Sequence, residues 1–242
     1  MSDPIRVAVV AEGPTDTIVI QAALRAILNE RPFVLTQLQP EGSVAFGQTG
    51  SGWGGVYRWC KQSRLRGNGR LSDDHLLFSS YDLLICHVDG EIADEDYPNA
   101  GITREPGDAD FPGMQPCPPS AGTADAVRAL VLNWCREVGA PEKMVLCVPC
   151  MSTETWVMAS IFPNDEHVHP LAAWECHQNP EARLGQQPKT VRIRKSQADY
   201  RGVADQLTEQ WPRISGPNGL SQASRFTAEV RGSHAFENGA HP

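Results

Sequence analysis

Ile5-Arg-Val-Ala-Val-Val-Ala-Glu12-Gly-Pro-Thr-Asp16 is the stretch on which the fold turns. Its nearly unbroken apolar run is too continuous for a strand with one wet face, and predicts a strand buried on both faces, as in parallel sheets covered by helices. In such sheets ligands bind beyond the carboxyl ends of the strands, where Glu12 stands. The Gly-Pro turn ends the strand, Thr15 is placed to cap a following helix, and Asp16 then falls in its first turn. Two acids flanking one turn suggest a cation.

Outward from this point, Ile18, Ile20, Ala22, Ala23, Leu24, Ile27 and Leu28 give the segment from Asp16 to Asn29 the broad apolar face of a helix. Phe33 to Leu38 reads as a second strand. The six glycines between residues 41 and 55 predict a loop, and Val56 to Leu65 a helix bearing Arg58, Lys61, Arg64 and, just beyond, Arg66. Tyr81-Asp-Leu-Leu-Ile-Cys-His-Val-Asp89 repeats the opening pattern: a buried strand ending in acid, followed by Gly90, Glu91 and the group Asp94, Glu95 and Asp96. From Tyr97 to Ser120 six prolines predict an irregular loop, functional or mobile. A helix over Ala121 to Val138, a strand over Met144 to Val148 and a short helix over Thr153 to Ile161 follow. Beyond Pro163 a polar, proline-punctuated stretch leads to a basic segment, Lys189 to Lys195, and a helix over Ser196 to Trp211. The expected class is α/β: a Rossmann-like core over residues 1–165 with a mostly parallel sheet flanked by helices, a smaller helical appendage over 166–231 completing the domain, and a flexible polar tail over 232–242.

Composition sets bounds on function. The 242 residues, 40% of them hydrophobic, suffice for one substantial core. A formal charge of −8 gives no global electrostatic signature of nucleic-acid binding, although a local basic face could serve. No apolar run reaches the roughly 18 residues of a membrane span, and no leader pattern opens the chain, so a cytoplasmic protein is expected. Seven irregularly spaced cysteines fit reduced thiols better than a disulfide framework. Cys147-x-x-Cys150 with His167, His169, Cys176 and His177 could be composed into a zinc site, but Cys147 falls in a buried strand and the rest lack regular ligand spacing, so zinc is not expected. His87 alternates with Asp89 and could share its face, although a single histidine in an apolar strand is more often a satisfied core residue.

The four carboxylates Glu12, Asp16, Asp89 and Glu91 cap two strands that could be sheet neighbours. Such a cluster must protonate, separate or bind a cation, and hard oxygen donors suit Mg²⁺ or Mn²⁺. Here the chain resembles the toprim fold, the catalytic domain of topoisomerases, primases and the overcoming-lysogenization-defect (OLD) nucleases. The likeness rests on Val9-Val-Ala-Glu12-Gly-Pro-Thr-Asp16 and Ile85-Cys-His-Val-Asp89-Gly-Glu91, where the family's second Asp is replaced by Glu91. The chain is also similar to small stand-alone toprim-like proteins without a known function, through Ser152-Thr-Glu154-Thr-Trp156, Pro188-Lys189 and Arg225-Phe226. The resemblance implies metal ligation by Glu12, Asp16, Asp89 and Glu91, catalytic roles for Glu12, Asp89 and Glu154, and a catalytic lysine that is either Lys189 or Lys195.

What this implies is a Mg²⁺- or Mn²⁺-dependent nuclease, with two metal sites, cutting DNA or RNA. Arg58, Lys61, Arg64 and Arg66, or Arg192, Arg194 and Lys195, would contact phosphate. The resemblance also suggests a separate ATPase partner of the kind found in phage-defence loci; this chain has no Gly-x-x-x-x-Gly-Lys-Ser/Thr loop, so it is not expected to hydrolyse ATP by that route. The alternative is a non-catalytic toprim-like module that binds metal, phosphate or a partner protein. A third reading is hydrolysis of, or transfer from, a small phosphate ester.

Overall fold

A computed structural model describes residues 3–29, 31–40 and 50–233. Expectations for residues 41–49 and 234–242 lie outside that range. Four strands, β1 (Ile5–Val10), β2 (Phe33–Gln39), β3 (Leu83–His87) and β4 (Met144–Cys147), form one parallel sheet in the order β2-β1-β3-β4. The helices are α1 (Pro14–Leu28), α2 (Gly52–Arg66), α3 (His75–Ser80), α4 (Ala121–Trp134), α5 (Glu154–Ile161), α6 (Leu171–Trp174), α7 (Pro180–Gln186), α8 (Gln197–Ile214) and α9 (Ser221–Arg231). Among the described residues three short 3₁₀ segments, Leu71–Asp73, Gly90–Asp94 and Tyr97–Ala100, intervene. The protein is α/β, with an all-parallel sheet in Rossmann-like style and a helical extension.

Strand alternation divides the core in two. Val7, Val9, Leu83 and Ile85 face α1, α5, α8 and α9, while Ala8, Val10, Leu84 and Cys86 face α2, α4 and the segment around Tyr97. Burial of both sheet faces accounts for the continuous apolar runs of β1, β3 and β4. The last two long helices belong to this core: α8 packs along α1, and Trp156, Trp211 and Phe226 meet in one aromatic cluster beneath the sheet.

Several boundaries differ from the sequence reading. Helix α1 begins at Pro14, whose fixed φ and missing N–H suit the first helical position, so Gly13 rather than Thr15 is its cap. Helix α2 begins at Gly52, four residues inside the expected glycine loop. A Cβ on Gly55 would lie 2.7 Å from the carbonyl oxygen of Gly50 and would overlap the amide of Gln39, so close backbone approach selects glycine in a segment that is nonetheless helical. The expected loop over Tyr97 to Ser120 packs inward. Tyr97 and Phe111 pack edge-on against Trp53, Phe111 also meets Trp134 edge-on, and Asp108 takes hydrogen bonds from Tyr57 at 2.7 Å and Arg136 at 2.9 Å. No helix among the described residues is long and apolar enough to cross a membrane.

Candidate metal and phosphate site

Since β2 leaves β1 on one side and β3 pairs with it on the other, the crevice between the carboxyl ends of β1 and β3 is where the strand order reverses, the usual ligand position of an open parallel sheet. Glu12 and Asp89 each stand two residues past a strand end, and the geometry locks them together. Glu12 Oε1 accepts the Asp89 backbone N–H at 2.8 Å. The Glu12 carbonyl accepts the N–H of Gly52 at 2.8 Å, which brings the start of α2 against the same turn.

Asp16, buried in the first turn of α1, reaches back to the Gly13 N–H at 2.9 Å and accepts the Thr153 hydroxyl at 2.7 Å. The Thr153 N–H donates to Asp89 Oδ1 at 3.2 Å, so one threonine at the start of α5 fixes the carboxylates of two other segments. Next to it, fully buried Glu154 accepts the Tyr200 hydroxyl at 2.7 Å and faces Lys195 Nζ at 3.4 Å; Lys195 in turn lies 3.1 Å from Glu181. Glu12, Asp16, Asp89, Glu91 and Lys195 line one open pocket of about 460 Å³, together with Gly13, Ser51, Gly52 and Gln197.

The electrostatics are those of charge crowded out of water. Burial, reinforced by the Asp89 charge, holds the Glu12 carboxyl well above its ordinary range. Burial also raises Asp89 to about 7, with the Asp16 charge adding to it and His87 opposing it. Burial draws Glu91 upward too, against the pull of Lys195. Glu154 shows the opposite outcome. Burial would raise it, yet the Lys195 charge and hydrogen bonds from Tyr200 and Ser152 hold it below its ordinary value. Lys195 is correspondingly raised: partial burial disfavours its charge, but Glu154 and Asp89 outweigh that.

His87 is the residue the sequence reading undervalued. Its side chain is fully buried, and its Nε2 lies 3.2 Å from Asp89 Oδ1 without the alignment of a hydrogen bond; neither ring nitrogen has a hydrogen-bond partner among the described residues. Burial opposes its charge, but the carboxylates of Asp16, Asp89 and Glu12 lift its pKa to about 9. The acids above it thus favour its charged form, and with both ring nitrogens lacking a hydrogen-bond partner among the described residues it is not a satisfied core histidine. Donor atoms of Asp16, His87 and Asp89 fall within 4.8 Å of one another. The usable signal was its two-residue spacing from Asp89, which, with His87 the last residue of β3, brings both side chains to the same side just past the strand end. Thr153 stood beside a flagged residue, whereas nothing local in the sequence marked Tyr200.

The other expected contacts separate. Lys189 is exposed in a turn and does not line the pocket, so of the two candidate lysines the structure brings only Lys195 to the acids. On α2, Arg64 is buried against the Trp134 carbonyl at 2.9 Å and Glu105 at 2.5 Å, Lys61 pairs with Glu105, and Arg66 pairs with Asp74 at 3.0 Å. Arg58 donates to the Ala100 carbonyl at 2.6 Å and lines, with Lys61, a different pocket. Their shared face is largely turned to internal acids. Arg192 donates to the Gln187 carbonyl at 3.2 Å, and Arg194 is exposed one residue from Lys195.

The thiols also depart from expectation, since Cys117 and Cys176 form a disulfide. Cys147 is buried in β4, and the thiol group able to hold a metal contains Cys117 in its place. No family model, curated protein or solved structure matches this chain.

Proposed function

We propose that the pocket at the ends of β1 and β3 is a divalent-metal phosphodiesterase site acting on DNA or RNA. The observation that carries this reading is the convergence of Glu12, Asp16, Asp89 and Glu91 with Lys195 on one crevice at the reversal of strand order. The donor set fits a hard cation. Glu12 and Asp89 are pushed toward protonation by burial and by neighbouring carboxylate charge, a strain that a cation relieves, and oxygen donors suit Mg²⁺ or Mn²⁺. Glu12, Asp16 and Asp89 would hold the ion, with Glu91 at the rim and room for a second one. A bound cation of this kind supplies Lewis-acid polarisation of a phosphoryl oxygen and an acidified water.

The chain's own residues have separable tasks. Thr153 and the Asp89 N–H fix the carboxylate rotamers, so little reorganisation is needed on binding. Buried His87 offsets part of the negative charge from beneath. Lys195, held by Glu154 and Glu181, presents a permanent positive charge to the pocket, placed to stabilise charge on a phosphate or a departing oxygen. Tyr200 keeps Glu154 in place, so Glu154 acts through the lysine. The motif likeness extends the proposal to an effector role beside a separate ATPase.

The test is Mg²⁺- or Mn²⁺-dependent cleavage of plasmid DNA and RNA by wild type and Glu12→Ala, alone and with any ATPase found to co-purify. Activity confined to wild type supports the reading; equal activity in both sinks it. One observation favours a second reading, a module that binds metal or phosphate without cutting: on α2, Lys61, Arg64 and Arg66 pair with Glu105 and Asp74 of the same chain, so they offer no ready track for a nucleic-acid backbone. Calorimetric binding of Mn²⁺ lost in Asp89→Ala, with no cleavage by wild type under any condition, would establish that alternative.

A further inference from the structure

Three cysteines from distant parts of the chain, Cys117, Cys150 and Cys176, bring their sulfurs within 4.8 Å of one another. Cys117 precedes α4, Cys150 lies between β4 and α5, and Cys176 follows α6. Cys117 and Cys176 are bonded in the structure, and Cys150 Sγ stands 3.6 Å from Cys117 Sγ. A cross-link needs two sulfurs and does not account for a third that is buried beside them. Three converging thiols are what a thiophilic cation takes. Sulfurs bound tetrahedrally at about 2.3 Å from zinc stand about 3.8 Å apart, close to the Cys117–Cys150 spacing.

We propose that the reduced trio Cys117, Cys150 and Cys176 is a zinc thiolate site, and that the Cys117–Cys176 disulfide is its oxidised, metal-free form. The interconversion balances. A dithiol reductant gives two electrons and two protons to the Cys117–Cys176 bond and becomes a disulfide itself. The three free thiols then release three protons as three sulfur–zinc bonds form. Cys117 and Cys176 are partly exposed while Cys150 is buried, so water has access to complete the tetrahedron from the outer side.

The site would bear directly on the wall of the carboxylate pocket. A Cβ on Gly90, the residue between Asp89 and Glu91, would overlap the Cys150 carbonyl and lie 2.6 Å from that of Pro149, and the Glu91 N–H donates to the Met151 carbonyl at 3.2 Å. The segment carrying Cys150 is thus packed onto the turn that carries two of the acids. Zinc would tie that segment to the long loop before α4 and to the region after α6.

The experiment is to purify the full chain under dithiol reductant without a metal column, measure zinc by mass spectrometry, and exchange it for Co²⁺. The expected result is one zinc per chain and an intense near-ultraviolet thiolate-to-cobalt absorption. Both should be lost in Cys150→Ser and in Cys117→Ser, and retained in Glu12→Ala. Cys117 is the less buried of the two positions, so its variant serves if Cys150→Ser fails to fold. Reduced wild type that takes up no zinc would overturn the proposal, and so would zinc or cobalt bound without the thiolate absorption, which places the ion on oxygen ligands. Because the readout is specific to sulfur, it is independent of whether the carboxylate pocket binds metal or cuts anything.

Discussion

At the scale of single residues, the acids at the β1 and β3 ends make the metal-free protein sensitive to pH in a definite direction. Asp89 is raised from an unfolded value near ~3.9 to about 7 in the folded chain. Between those values the folded state holds a proton that the unfolded state has released, so stability falls as pH rises through that window. His87 acts in the same sense. Its raised pKa contributes stability fully present below ~6.5 and lost as pH rises through about 9. Metal-free protein should therefore lose melting temperature steadily from about pH 4 to pH 9, whereas the gain in melting temperature on adding Mn²⁺ should grow over the upper part of that range. Calorimetry at several pH values checks both, and a Mn²⁺ shift that is constant with pH would count against cation relief of the carboxylates. Lys195 offers a second test. Lys195→Met leaves buried Glu154 with Tyr200 and Ser152 but no cation, and since the lysine is partly exposed the cost should be roughly 1 kcal/mol. On the proposed phosphodiesterase reading, metal-dependent cleavage should be lost in that variant and unchanged in Lys189→Met.

At the scale of elements, the strand ends carry the legible part of the site. A buried parallel strand must be apolar along its length, so the first acid after it is conspicuous; Glu12 and Asp89 could be read directly, and with them the pocket. What tethers them could not. Thr153 lies more than a hundred residues from Asp16, and Tyr200 belongs to a helix whose packing on α1 only the tertiary fold decides. The arginines of α2 mislead for a related reason: they do lie on a helix, but their internal partners Glu105 and Asp74 come from other segments. The start of α2 was obscured because glycine disfavours helix by about 1 kcal/mol per residue, a local preference overridden by the close approach of Gly55 to Gly50. The same kind of contact supplies a prediction at the turn after β3. Gly90→Ala must push the backbone of Pro149 and Cys150 away from the turn, so it should cost about 1–3 kcal/mol and weaken Mn²⁺ binding, although residue 90 is no ligand. Denaturant melts with parallel calorimetry measure both, and unchanged binding in a destabilised variant would show that the two loops are not coupled.

At the scale of the whole molecule, the sheet has two faces and the chain covers them in different ways. Residues before Pro163 supply the cover of one face almost entirely, through α2, α4 and the aromatic group of Trp53, Tyr97, Phe111 and Trp134. The other face depends on the later chain: α8 lies along α1 and α5, and Tyr200, Leu207, Trp211, Ile214, Phe226 and Val230 are all buried against Val9, Ile20, Leu24 and Trp156. The extension is thus a required half of a core, and it also delivers Lys195 and Tyr200 to the pocket. A chain ending at residue 165 would expose the side of α1 and α5 that α8 covers. Each large side chain left bare forfeits roughly 1.5–3 kcal/mol, against a total stability of about 5–15 kcal/mol for a typical domain. The shortened chain should therefore be unfolded or aggregated, with little sheet signal in circular dichroism and no dispersed amide spectrum. Adding residues 166–233 as a separate peptide should restore some order if the two parts fold only together. A shortened chain that is folded, monomeric and still binds Mn²⁺ would mean that the carboxylate site is built by the first part alone, with Lys195 and its partners added to a structure that does not need them.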